Sequence, residues 1–131
     1  MRLNFQYSNH SHDESEVKSI KDPSQALVYF DQFDWAREAE MANEIQKCSP
    51  TLSLIIKEGE EYIWVSAYGD ENKLSFVSEC HFPGEVSSWF GLSKKLGLVE
   101  LQAQSFNKQN ARTALECFIE KKYDVLKGLY A

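Results

Sequence analysis

The sequence predicts an α+β fold: one mostly antiparallel sheet of four or five strands, with N-terminal and C-terminal helices packed on it. Three observations carry this reading. From Thr51 to Phe82 apolar and polar residues alternate in three runs separated by Gly59 and by the Gly69-Asp70-Glu71-Asn72 turn, the pattern of a β-meander. Before it lies a stretch with helix-start signals and helical spacing. After it comes one more alternating run, followed by an apolar stripe at i, i+3, i+4, i+7 and i+8.

At 131 residues the chain fits a single domain, 1–131, large enough to build a core without metal or disulfide staples. Its hydrophobic content of 43% and charged content of 26% are ordinary for a globular protein. No apolar run approaches the roughly 20 residues of a membrane span. Met1-Arg2-Leu3-Asn4 opens no apolar signal core, so a cytoplasmic protein without a membrane partner is expected. The net charge of −6 argues against nucleic acid, whose recognition needs clustered Lys and Arg, and suits a basic protein partner. The cysteines Cys48, Cys80 and Cys117 are widely spaced with no Cys-x-x-Cys pair, which predicts reduced, structural thiols.

In chain order, Leu3, Phe5 and Tyr7 alternate as a short strand suited to a sheet edge, and Ser8 to Glu16 reads as a polar loop. Within that loop His10 and His12 stand two residues apart, as two metal ligands could. No further ligand is recognisable, so a solvated loop is expected. Asp22-Pro23-Ser24-Gln25 carries helix-start signals; the run Ala26–Phe30 fits a short helix or a strand, and the caps favour the helix. Asp34 caps a second, amphipathic one from Trp35 to a stop at Ser49-Pro50.

In the meander, Leu52, Leu54 and Ile56 precede the turn Glu58-Gly59-Glu60. Tyr62, Trp64, Ser66 and Tyr68 alternate with Ile63, Val65 and Ala67. Leu74, Phe76, Ser78, Cys80 and Phe82 follow. Both faces of the middle run are apolar or aromatic, which predicts a strand covered on both sides with Trp64 largely buried. Pro83-Gly84-Glu85 is expected to break the sheet before a loop bearing Trp89 and Phe90. Val99, Leu101 and Ala103 then face inward while Glu100, Gln102 and Gln104 stay wet. Asn107 caps a last helix striped by Ala111, Ala114, Leu115, Phe118 and Ile119. The tail from Tyr123 is apolar enough to dock.

Catalytic motifs do not surface. Cys80 and His81 are neighbours on a strand and point to opposite faces, so they cannot form a dyad. No nucleophile elbow, phosphate loop, dinucleotide fingerprint or zinc-helix motif occurs. A non-catalytic chain without cofactor or metal is therefore expected. The groups most available to a partner are the turn carboxylates Glu58, Glu60, Glu61, Asp70 and Glu71 and the loop aromatics Trp89 and Phe90. A rival reading places a small molecule or substrate in an aromatic pocket of Tyr62, Trp64 and Tyr68. A second rival is an adaptor that uses a sheet edge.

A resemblance adds to this. It rests on the helix Trp35–Cys48 leading through Ser49-Pro50-Thr51 into Leu52–Ile56, and on the pair Tyr62–Tyr68 and Leu74–Cys80 with its acidic turn. The third element is Val99–Ala103 followed by Asn107-x-x-Asn110-Ala111-Arg112-x-Ala114-Leu115-x-x-Phe118. Over about residues 25 to 122 this order of elements resembles the immunity proteins of bacterial contact-dependent growth inhibition and related polymorphic toxin systems. The resemblance implies tight binding to a cognate toxin domain, often a nuclease, in the cytoplasm of the producing cell.

Overall fold

Alternation writes the sheet directly. In the computed structural model, which describes residues 1–10, 14–45, 48–69, 72–87 and 94–131, six strands and four helices follow one another. They are β1 (Arg2–Gln6), β2 (Glu16–Ser19), α1 (Gln25–Gln32), α2 (Trp35–Ile45), β3 (Thr51–Lys57), β4 (Glu61–Gly69), β5 (Leu74–Ser87), β6 (Lys94–Phe106), α3 (Lys108–Ile119) and α4 (Tyr123–Tyr130). The strands form one sheet in the order β2-β1-β3-β4-β5-β6, antiparallel throughout. The α+β class is as expected, with six strands in place of four or five.

Register assigns the faces. Leu3 pairs with Leu54, which pairs with Ile63, then Cys80, then Leu101. Phe5, Leu52, Val65, Ser78 and Ala103 form the neighbouring row. These rows make one face, and the helices bury it with Ala26, Phe30, Trp35, Ala39, Ala111, Ala114, Leu115, Phe118 and Leu126. Phe30, Trp35 and Phe76 meet at the centre, with ring centroids 5.2–6.1 Å apart. Phe82 stacks on Tyr123 at 4.1 Å and 4°, which docks the C-terminal segment as its apolar content predicts.

Local signals explain most element ends. Asn107 accepts from the Asn110 amide at 2.7 Å while Asn110 reaches back to the Asn107 amide, a reciprocal cap at the start of α3. Asp34 accepts from the Arg37 amide at 3.4 Å ahead of α2. Asp22 turns the chain toward α1 by accepting from the Ser24 amide at 3.0 Å, and the helix begins only at Gln25. Gly69 sits at φ +104°, and a Cβ there would lie 2.2 Å from the Lys73 carbonyl oxygen, so only glycine serves that turn.

Four expectations are corrected. First, the stretch just beyond the Ser8–Glu16 loop, to which the sequence reading assigns no element, forms β2, so β1 is an inner strand and not the edge. The missed strand has four residues and one apolar member, Val17, too short to register as alternation. Second, Pro83-Gly84-Glu85 does not break the sheet: β5 runs through to Ser87, with Pro83 opposite Leu98 and Gly84 opposite Gly97. The pairing of β4 with β5 ends at Tyr62 and His81. Beyond it β5 has a neighbour on one side only, where a residue without an N–H is tolerated. Third, β6 starts at Lys94, well before Val99. Fourth, the middle strand is covered on one face only. Ile63, Val65 and Ala67 are buried under the helices, whereas Trp64 lies on the opposite face and stays half-buried.

Candidate functional site

The uncovered face of the sheet carries its own side-chain rows. Arg2, Ile55, Tyr62, His81 and Glu100 lie in register across five strands. Asn4, Ser53, Trp64, Glu79 and Gln102 form the row beside it. Among the described residues no helix packs on this face, because the buried residues of the four helices belong to the opposite side.

At its centre the imidazole of His81 stacks on the Tyr62 ring, with centroids 4.5 Å apart and planes 19° from parallel. A 2.7 Å hydrogen bond joins His81 Nε2 to Glu79 Oε1, and Glu100 Oε1 lies 3.9 Å from Nδ1. The histidine is therefore held between an aromatic plate and two carboxylates, and it is 8% exposed on the face opposite the described helices. Burial raises the Tyr62 phenol above its usual range, and the Glu79 and Glu100 charges push the same way. Trp64 stands next to this group. Together with Ser53, Ile55, Glu58 and Tyr62 it lines a depression of about 310 Å³. A second depression, of about 350 Å³, lies on its other side, between Gln6, Thr51, Ser53 and Ser66.

The sequence-derived candidates divide. Glu58 lines the Trp64 depression and is ion-paired with Arg2. Glu60 is exposed and paired with Lys57 at 2.6 Å, as befits a turn charge. Glu61 is half-buried and accepts a long hydrogen bond of 3.4 Å from the Tyr123 hydroxyl, so it faces α4. Asp70, Glu71, Trp89 and Phe90 lie outside the described residues, as does His12. His10 packs edge-on against Tyr7 and accepts from the Tyr7 amide at 3.3 Å. Among the described residues no group of three or more His, Cys, Asp or Glu side chains could hold a metal ion. No helix among them is long and apolar enough to cross a membrane.

The three cysteines are buried thiols. Burial pushes Cys80 up to about 12 and raises Cys117, so neither offers a thiolate at neutral pH. Cys80 is on the covered face and His81 on the open one, as strand geometry requires. The expected pocket of Tyr62, Trp64 and Tyr68 does not form as one site. Tyr62 and Trp64 share a depression that Tyr68 does not line, and the Tyr68 hydroxyl donates instead to the Gln104 carbonyl at 2.8 Å.

Glu79, His81 and Glu100 are the members of this surface that sequence reasoning did not select. A signal existed: Glu100, Gln102 and Gln104 mark the wet side of β6, and carrying that parity across the sheet assigns Tyr62 and Trp64 to the same open face. Matched against protein-family models, curated proteins and solved structures, the chain finds no counterpart.

Proposed function

We propose that this protein is a binding domain that holds a basic protein partner on the open face of its sheet, and that the partner is a toxin domain that it neutralises. The supporting observation is a half-buried tryptophan and tyrosine near the middle of the sheet face opposite the helices, beside carboxylates at Glu58, Glu79 and Glu100. Aromatic anchors with a charged surround are the composition of binding hot spots. The chain's net charge of −6 would steer a basic partner toward it. The order of elements that resembles immunity proteins supports the toxin reading, and the aromatic and acidic rows of this face support its role as the bound surface.

The test is growth protection combined with binding kinetics. Cells expressing a candidate toxin domain should grow when the parent chain is co-expressed and fail with Trp64→Ala. Glu79→Gln/Glu100→Gln should slow association at low salt and match the parent at high salt, because exposed charge acts through a screened field. Full protection by Trp64→Ala would move the interface elsewhere.

A second reading is a small-molecule site, favoured by the size of the Trp64 depression, about 310 Å³, at the lower end of ordinary ligand pockets. It is distinguished by saturable quenching of Trp64 fluorescence by a small molecule in the absence of any protein partner.

A further inference from the structure

On the helix side of the sheet, at the end nearest β2, a cleft of about 320 Å³ opens between β1 and the junction of α1 with α2. Its walls are aromatic. Phe5 and Tyr7 come from β1 and the residue after it, and Tyr29 and Phe33 from α1 and its C-terminal cap. Phe33 lies nearly parallel to Tyr7, with centroids 5.4 Å apart at 11°, and to Phe5, at 6.3 Å and 9°. Tyr29 meets Phe5 at 65°, so the rings form two walls of a corner.

Three carboxylates attend this corner. Glu38 and Asp34 line it directly. Glu38 is fixed in place because its Oε1 accepts from both the amide and the hydroxyl of Ser8, at 3.0 and 3.1 Å. Glu16 lies close enough to raise the Tyr7 phenol, after burial and ahead of Glu38. Among the described residues, the one cation lining the cleft is Lys18 of the short edge strand β2. Its Nζ sits 4.9 Å from the centroid of the Tyr29 ring, within cation–π range, and 3.7 Å from Glu16. The protein thus already places an ammonium on this aromatic wall, tethered to an exposed strand whose Lys18 side chain is 39% exposed.

We propose that this cleft binds a small organic cation, an alkyl or quaternary ammonium group, which takes the place of the Lys18 ammonium against Tyr29. Ring faces attract such a cation electrostatically, and the attraction grows as water is excluded. The three carboxylates against one lysine leave the corner with surplus negative charge for a soluble cation. The inference is independent of the open-face reading, because Phe5 and Trp64 project from opposite faces of the sheet.

The test is a titration of the full chain with choline, read by the aromatic NMR resonances of Tyr7, Tyr29 and Phe33. The neutral isostere 3,3-dimethyl-1-butanol serves as control. Choline is expected to shift these resonances saturably and to bind about threefold or more tighter than the isostere. Lys18→Gln, on a half-exposed edge position that leaves the core intact, should tighten choline binding by removing the internal competitor. Tyr29→Leu should weaken it several-fold. Equal binding of choline and its isostere overturns the proposal, as does an unchanged affinity in Lys18→Gln. Tighter binding of a lysine-bearing peptide than of choline would overturn the assignment to a free small cation.

Discussion

Two tryptophans mark the difference between the two faces of the sheet. Trp35 is 1% exposed, wedged between Phe30 and Phe76, and its indole N–H donates to the Phe30 carbonyl at 3.0 Å. Trp64, in the strand at the middle of the same sheet, is half-buried among Ser53, Ile55, Glu58 and Tyr62 with no helix among the described residues layered over it. Both are large aromatic surfaces, but only Trp35 satisfies the polar and apolar parts of its ring within the fold. A buried Trp with its N–H paired serves stability. A Trp left half-wet on a sheet face retains apolar area that a partner can still remove from water.

The comparison can be broken from either side, and the largest effect is expected on the covered face. Trp35→Ala should lower stability by about 3–5 kcal/mol through lost transfer energy and the cavity left beside Phe76. That is a large part of a small domain's total. A urea midpoint close to the parent's would show that the core does not depend on the Phe30–Trp35–Phe76 cluster. Trp64→Ala should cost less, about 1–2 kcal/mol in the same measurement, because part of its surface is already solvated. The loss in protection and binding described above should be disproportionate to this cost. A stability loss as large as that of Trp35→Ala would erase the distinction between the faces.

Smaller effects sharpen the covered side. Arg112 of α3 donates Nε to Asp31 Oδ1 at 2.8 Å and Nη2 to Oδ2 at 3.0 Å, a two-point clamp on α1. The guanidinium holds the Asp31 carboxyl below its ordinary range, chiefly through the hydrogen bond. A depressed folded pKa means that the unfolded chain takes up the proton first. The clamp's contribution is therefore present above the ordinary aspartate range and is lost as pH falls through the lower folded value. The pair is half-exposed, so about 0.5–1 kcal/mol is expected at neutral pH. Asp31→Asn should show that deficit at pH 7 and a smaller one at pH 2.5, below the ordinary aspartate range. An equal deficit at both pH values would mean that the contact is steric and not ionic.

The smallest effect is expected at the end of α3. Lys121 holds φ +58° while its amide and that of Lys122 donate to the carbonyls of Phe118 and Cys117, a left-handed helix stop normally given to glycine. Lys121→Gly should raise the unfolding free energy by about 1 kcal/mol or less, the relief of αL strain being partly offset by the freedom of glycine in the unfolded chain. A loss of stability would show that the lysine side chain contributes more than its backbone costs.

Period-two alternation in Thr51–Phe82 and Val99–Ala103 determined the sheet, because a strand with one face in a core must repeat every second residue. Local capping chemistry at Asp34 and Asn107 determined where α2 and α3 begin, since a helix start needs a side-chain acceptor within a few residues. The apolar stripe of α3 determined which of its sides would be buried. Tertiary structure alone decided which face of β4 the helices would cover. Ile63, Val65 and Ala67 and the set Tyr62, Trp64 and Tyr68 are both apolar enough to be inside. The choice was made by neighbours in register, where Leu54, Cys80 and Leu101 flank Ile63 but Arg2, His81 and Glu100 share the row of Tyr62. The same non-local pairing let β5 run through Pro83 and put Tyr7, Tyr29 and Phe33 into one corner, because residues far apart in the chain meet only after the sheet has formed.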